Sequence, residues 1–263
     1  MKLITKDLSP TVKLLLSIAI LMTSISFASL FMSFLKDYPL LYQAIGTLFM
    51  FGLSSWICIK LFIKDFKINF SKPQNTILIL WAIILPIAII PLNDFLTFEG
   101  QNAVSQKLLQ SNSFPQFLIV SLVLGVLPAI TEELFFRGVI QNNFKELTKN
   151  TLLAVILTSV FFSLMHFELY AFLPRFLLSL CLGLLLVATN NLWIPILCHF
   201  INNLCVCIFY YLHNLKIIPS PDSTTYSQHP ILIILSGVIL TLFFFHLYKL
   251  KRVCKFFILN IRT

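Results

Sequence analysis

Charge and glycine are what this sequence has least of. Only 11% of its 263 residues are Asp, Glu, Lys or Arg, and seven are glycine, against 27 phenylalanines and a hydrophobic share of 58%. A soluble domain of this length buries a sizeable core but needs far more polar surface to cover it. Extended polar stretches are scarce as well: apolar runs of roughly 20 residues follow one another across short breaks, the length that crosses a bilayer. Paired cysteine motifs are missing too. The six cysteines (Cys58, Cys181, Cys198, Cys205, Cys207 and Cys254) contain no C-x-x-C, and five fall in apolar runs, so reduced packing thiols are expected.

What remains is an all-α polytopic membrane protein whose first partner is the lipid bilayer. About eight spans are expected, near 14–35, 41–63, 77–92, 116–140, 151–168, 172–188, 192–212 and 230–248. Ser26-Phe27-Ala28 resembles a signal-cleavage site, but the preceding apolar run exceeds the about 7–15 residues of a signal core, so a retained helix is expected. The net charge of +9 does not point to nucleic acid, because the charge is sorted by side. With a cytoplasmic N-terminus, Lys2, Lys6, Lys13, Lys60, Lys64, Lys67, Lys72, Lys145, Lys149, Lys249, Lys251, Arg252, Lys255 and Arg262 all lie inside. Only Lys36, Lys107 and Lys216 lie outside, and Arg137 and Arg175 fall within spans. The positive-inside rule therefore puts both termini in the cytoplasm.

The stretch from Pro128 to Gly138 breaks the apolar pattern with Glu132, Glu133 and Arg137. Ionisable groups at membrane depth are costly and usually face a protein interior or a water-filled cavity. Glu133 and Arg137 are four apart with the acid first, the favoured order for an intrahelical ion pair and a structural one. Glu132 points about 100° away from them and has no local partner. The helix is expected to continue to Leu147 and turn at Lys149-Asn150, returning as the fifth span. Glu132 then lies about 17 residues before that turn and His166 about 16 after it, so the two sit at a similar depth. A second hairpin turns at Thr189-Asn190-Asn191, and its outgoing span carries His199 and Asn203 on one helical face. Pro86 and Pro91 are expected to kink the short third span. Glu168, Arg175, His213, His229 and His246 are expected at surfaces or in peripheral packing.

Glu132, His166, His199 and Asn203 suit amide hydrolysis in a membrane. A glutamate and a histidine can activate water, while a second histidine and a carboxamide stabilise the developing oxyanion. No serine or cysteine nucleophile with its own base stands out. Two histidines and a glutamate also make a catalytic zinc set, so spacing leaves open a metal held by Glu132, His166 and His199. The spacing is not H-E-x-x-H, in which both histidines share a helix.

Glu132-Glu133-x-x-x-Arg137, Phe162-x-x-x-His166 and His199-x-x-x-Asn203, in this order, resemble the three motifs of the CPBP intramembrane proteases. That family includes type II CAAX prenyl endopeptidases, lysostaphin-resistance-protein-A-like proteins and bacteriocin-processing or immunity proteins. The resemblance covers residues 116 to about 210. It implies an eight-helix fold with a cavity open to the cytoplasmic side, Glu132 as base, His166 as its partner, and His199 with Asn203 at the oxyanion. Glu133 and Arg137 would be structural support. The implied activity is a glutamate-dependent endopeptidase with no cofactor favoured, zinc being the metalloprotease alternative. Its partner would be a peptide or lipidated protein in the plasma (inner) membrane of a bacterium. Residues 1–115 supply leading helices and an outer loop, 116–212 the catalytic core, and 213–263 an outer loop, a last span and a basic tail. A proton-coupled transporter and a non-enzymatic immunity or scaffold protein are the rival classes.

Overall fold

A computed structural model describes residues 8–62, 76–97, 107–219 and 229–250. The expectations for Lys2, Lys6, Lys64, Lys67, Lys72, Lys251, Arg252, Cys254, Lys255 and Arg262 lie outside the described residues. In chain order the helices are α1 (Pro10–Met32), α2 (Pro39–Phe62), α3 (Ile77–Ala88), α4 (Ile90–Leu96), α5 (Phe114–Thr148), α6 (Thr151–Leu164), α7 (Leu169–Thr189), α8 (Trp193–Asn214) and α9 (Pro230–Lys249). No strand occurs among the described residues.

Six of these helices are long and apolar enough to cross a membrane, and α3 with α4, bent by 47°, makes a seventh when counted as one span. Pro86 lies inside α3 and Pro91 in the first turn of α4, so the bend falls where proline removes ladder donors. The remaining expected span, α6, has only 14 residues, a rise of about 21 Å against the ~30 Å of a hydrocarbon core. It was expected to run to residue 168 but stops at Leu164, and Phe167 turns the chain with φ 55°. By contrast α5, 35 residues long, rises about 52 Å, so its polar end from Gln141 onward reaches past the core.

The two hairpins close where polar residues permit left-handed backbone. Lys149 (φ 56°) ends α5, and Asn150 then caps α6 by accepting from the Leu153 amide at 3.0 Å. Asn190 (φ 52°) ends α7 in the same way. At the first hairpin Lys13 pairs with Glu146 at 2.7 Å, so the start of α1 and the end of α5 share one end of the bundle. The described cysteines are all free, and Cys58, Cys181, Cys198 and Cys207 are buried.

Two apolar clusters organise the packing. One joins α1, α2, α5 and α6 through Leu21, Phe51, Phe135, Phe136, Ile140 and Phe162. The other joins α3, α6, α7, α8 and α9 through Leu85, Val155, Leu182, Cys198, Phe243 and Leu247. Outward-facing positions such as Leu30 (70% exposed) and Ile231 (70%) stay uncovered, as a lipid-facing surface requires. The motif segment of α5 runs along the seam between the clusters. There α7 comes very close: a Cβ on Gly183 would lie 2.8 Å from Val155 Cγ1 and 3.0 Å from Gln141 Oε1, so this contact needs glycine.

Candidate active site

α5 carries its acids on a nine-residue α-helical stretch set between two wide turns. A wide, π-type turn over Ser121–Val126 precedes Leu127–Phe135, and another follows over Phe136–Ile140. Such turns shift the face that later residues present and recur at functional sites. Between them Glu132 and Glu133 point to different neighbours, and both are buried.

Glu133 is wholly enclosed, with 0% exposure, as is Arg137. Its Oε1 accepts from Arg137 NH1 at 3.0 Å, the expected i,i+4 pair. Arg137 NH2 in turn donates to the Ser179 carbonyl at 3.0 Å and its hydroxyl at 2.9 Å, which pins α5 to α7. A buried charge pair gains from further hydrogen bonds; Ser179 satisfies Arg137 NH2, while Glu133 Oε2 and Arg137 Nε are buried without a hydrogen-bond partner. The same Oε1 also receives His199 Nδ1 at 2.9 Å. Reading the sequence for local spacing found Glu133–Arg137 but missed this contact from α8, because 66 residues separate its partners.

That bond fixes the histidine. With Nδ1–H donated to Glu133, His199 directs Nε2 toward Glu132, whose Oε2 lies 3.9 Å away. This exceeds a direct hydrogen bond, and Glu132 Oε2 is buried without any partner. A buried carboxylate oxygen without a hydrogen bond marks a place where water or a substrate atom fits.

His166 stands just past the end of α6, where the last carbonyls of a helix lack amide donors. Its Nδ1 donates to the Phe162 carbonyl at 2.8 Å, leaving Nε2 as an acceptor when the ring is neutral. Phe162 is the ring around which the site is packed: its centroid lies 4.8 Å from His166, 5.9 Å from His199 and 5.1 Å from the Arg137 guanidinium carbon. His166 and Glu132 line one cavity of about 310 Å³ together with Ser29, Tyr42, Gln43, Thr47, Met50 and Met165. No direct hydrogen bond joins the two among the described residues. The cavity extends along α1 and α2 to Ser29 and Tyr42, toward the bundle end opposite Lys13–Glu146.

Asn203 is on α8 one turn beyond His199, and its Oδ1 accepts from Asn202 Nδ2 at 3.2 Å. Arg175, expected at a surface or in peripheral packing, ties down the His166 turn: NH2 pairs with the Glu168 carboxylate and NH1 reaches the Glu168 carbonyl at 3.4 Å. Seven residues apart across a chain reversal, the pair has no helical spacing by which to be noticed. His213 Nδ1 binds the Ile218 carbonyl, and His246 packs on Trp81. Zinc on Glu132, His166 and His199 does not fit this arrangement, since no group of three His, Cys, Asp or Glu side chains among the described residues is placed to hold a metal ion.

Residues 114–205 match the family model described as Rce1-like, type II CAAX prenyl endopeptidase. No curated protein and no solved structure is significantly similar to the chain. The matched stretch contains Glu132, Glu133, Arg137, His166, His199 and Asn203, and the match supports a likeness of this segment to the CPBP intramembrane proteases.

Proposed function

We propose that this protein is an intramembrane endopeptidase in which Glu132 activates the water that cleaves a peptide bond. The observation that carries the reading is the unpartnered Oε2 of Glu132, 3.9 Å from His199 Nε2 and on the wall of a cavity shared with His166. Glu132 takes a proton from water as the oxygen attacks the substrate carbonyl, then passes it to the leaving amine. His166, with its Nε2 free to accept, holds that water or the protonated acid.

The oxyanion falls to the α8 residues. Because His199 gives its Nδ1–H to Glu133, its Nε2 can donate to the oxyanion only when both ring nitrogens carry protons. A cationic N–H beside the Asn203 amide can stabilise a tetrahedral oxygen, an effect worth about 3–4 kcal/mol per donor in other hydrolases. On this reading Glu133 supports the histidine as well as the helix. The cavity volume admits several waters, and a prenylated C-terminal peptide is the substrate class to which the family description points.

The test uses purified protein in nanodiscs with farnesylated and unmodified peptide libraries, read by mass spectrometry in H2(18)O. Glu132-activated water predicts one labelled oxygen in the new carboxylate during a single turnover, insensitivity to chelators, and no product with Glu132→Gln. Equal cleavage by that variant refutes the assignment. Substrate flux in liposomes without any cleavage would instead favour a transporter.

A further inference from the structure

We infer that Asn202 is a positioning residue that fixes which end of the Asn203 amide faces the reaction. The inference rests on the endopeptidase reading above. A carboxamide is ambidextrous: a half-turn about its last side-chain bond exchanges two N–H donors for an acceptor oxygen. Only one orientation stabilises an oxyanion; the other presents lone pairs to it. Asn203 therefore needs a neighbour that tells its two ends apart, and Glu132, Glu133 and His199 are not hydrogen-bonded to it.

Asn202 supplies that neighbour. Its Nδ2–H donates to Asn203 Oδ1 at 3.2 Å, so the oxygen is engaged and the two N–H bonds of Asn203 are left to donate. The contact is between consecutive helical residues, whose side chains normally diverge by about 100°. Asn202 itself faces away from the Glu132 cavity. It lines a second cavity of about 280 Å³ with Asn93 and Leu178 and with the charged or titratable Asp94, Arg175, Cys205 and Tyr210. That cavity also holds Arg175, which ties down the His166 turn. Asn202 thus acts through Asn203 and not on the substrate.

Reversing the polarity of position 202 tests this. An ionised carboxylate there can only accept, which turns the Asn203 NH2 toward it and the oxygen toward the substrate; a protonated carboxyl can still donate. Asn202→Asp is therefore expected to cleave the farnesylated peptide best at the acid end of the range. Relative to wild type, its kcat should fall at least tenfold as pH rises through the carboxyl titration, with KM little changed. Asn202→Leu should lose about tenfold in kcat at every pH, and Asn202→Gln should recover most of it. Asn202→Asp tracking wild type across the whole range, or Asn202→Leu retaining full kcat, overturns the inference while leaving the endopeptidase reading intact. Undiminished cleavage by Glu132→Gln and Asn203→Ala, or no cleavage of any library peptide by wild type, overturns that reading and this inference with it. Melting curves in detergent identify misfolded variants, and the pH dependence of Asn202→Asp is read within a single folded protein.

Discussion

Adjacent residues of the same type meet opposite fates on the two flanks of α5. The flank toward α7 and α8 is dry and tied: Glu133 holds Arg137 and His199 through one oxygen, and Arg137 reaches both polar atoms of Ser179. The flank toward α1 and α2 is a cavity wall that Glu132 lines with its Oε2 unpartnered; Glu133 Oε2 also lacks a hydrogen bond, but Glu133 does not line that cavity. A buried ion tied to a counter-ion holds a fold in register; one that has none and lines a cavity retains its capacity to bind and exchange protons. The difference comes from the helix period alone, which turns consecutive side chains about 100° apart.

This contrast is breakable in graded steps. Arg137→Ala strips the tied flank, leaving Glu133 as an uncompensated buried charge, and should cost about 3–5 kcal/mol of stability. A lowered melting temperature and poor yield of folded protein in detergent are the readouts, and an unchanged melt would show that the pair holds nothing together. Gly183→Ala attacks the same flank sterically, through Val155 Cγ1 at 2.8 Å and Gln141 Oε1 at 3.0 Å from the added carbon. A loss of about 1–3 kcal/mol is expected, and wild-type stability would mean that α7 shifts freely. The mildest change is at the cavity flank, where Lys13→Ala removes the ion pair that fastens α1 to the end of α5. Glu146 is 47% exposed on its side chain, so the expected cost is below about 1 kcal/mol and should vanish in high salt.

Much of the fold was written in local pattern. The apolar runs located the helices, the acid-first spacing found Glu133–Arg137, and Pro86 with Pro91 marked the bent third span. The long reach of α5 to its turn at Lys149 was also readable, because its last residues become polar where the helix leaves the hydrocarbon. What escaped was everything settled by contacts between distant segments. The end of α6 at Leu164 follows no helix-breaking residue, since Met165 and His166 continue the sequence without proline or glycine. His199 meets Glu133, and Ser179 meets Arg137, only because α7 and α8 pack on α5. The wide turns over Ser121–Val126 and Phe136–Ile140 also carry no distinctive composition. At the site, common depth could be argued for Glu132 and His166, but not which histidine would stand closer to the acid.

One paired measurement reaches the centre of this account: turnover and melting temperature of Glu132→Gln beside those of Glu133→Gln. Both changes keep size and remove a charge, so they differ only in the flank they touch. Glu132→Gln should lose about 10²–10⁴-fold or more in turnover with its melting temperature intact, whereas Glu133→Gln should melt at lower temperature. Full activity in Glu132→Gln, or destabilisation as large as that of its neighbour, would contradict the division of labour between the two acids.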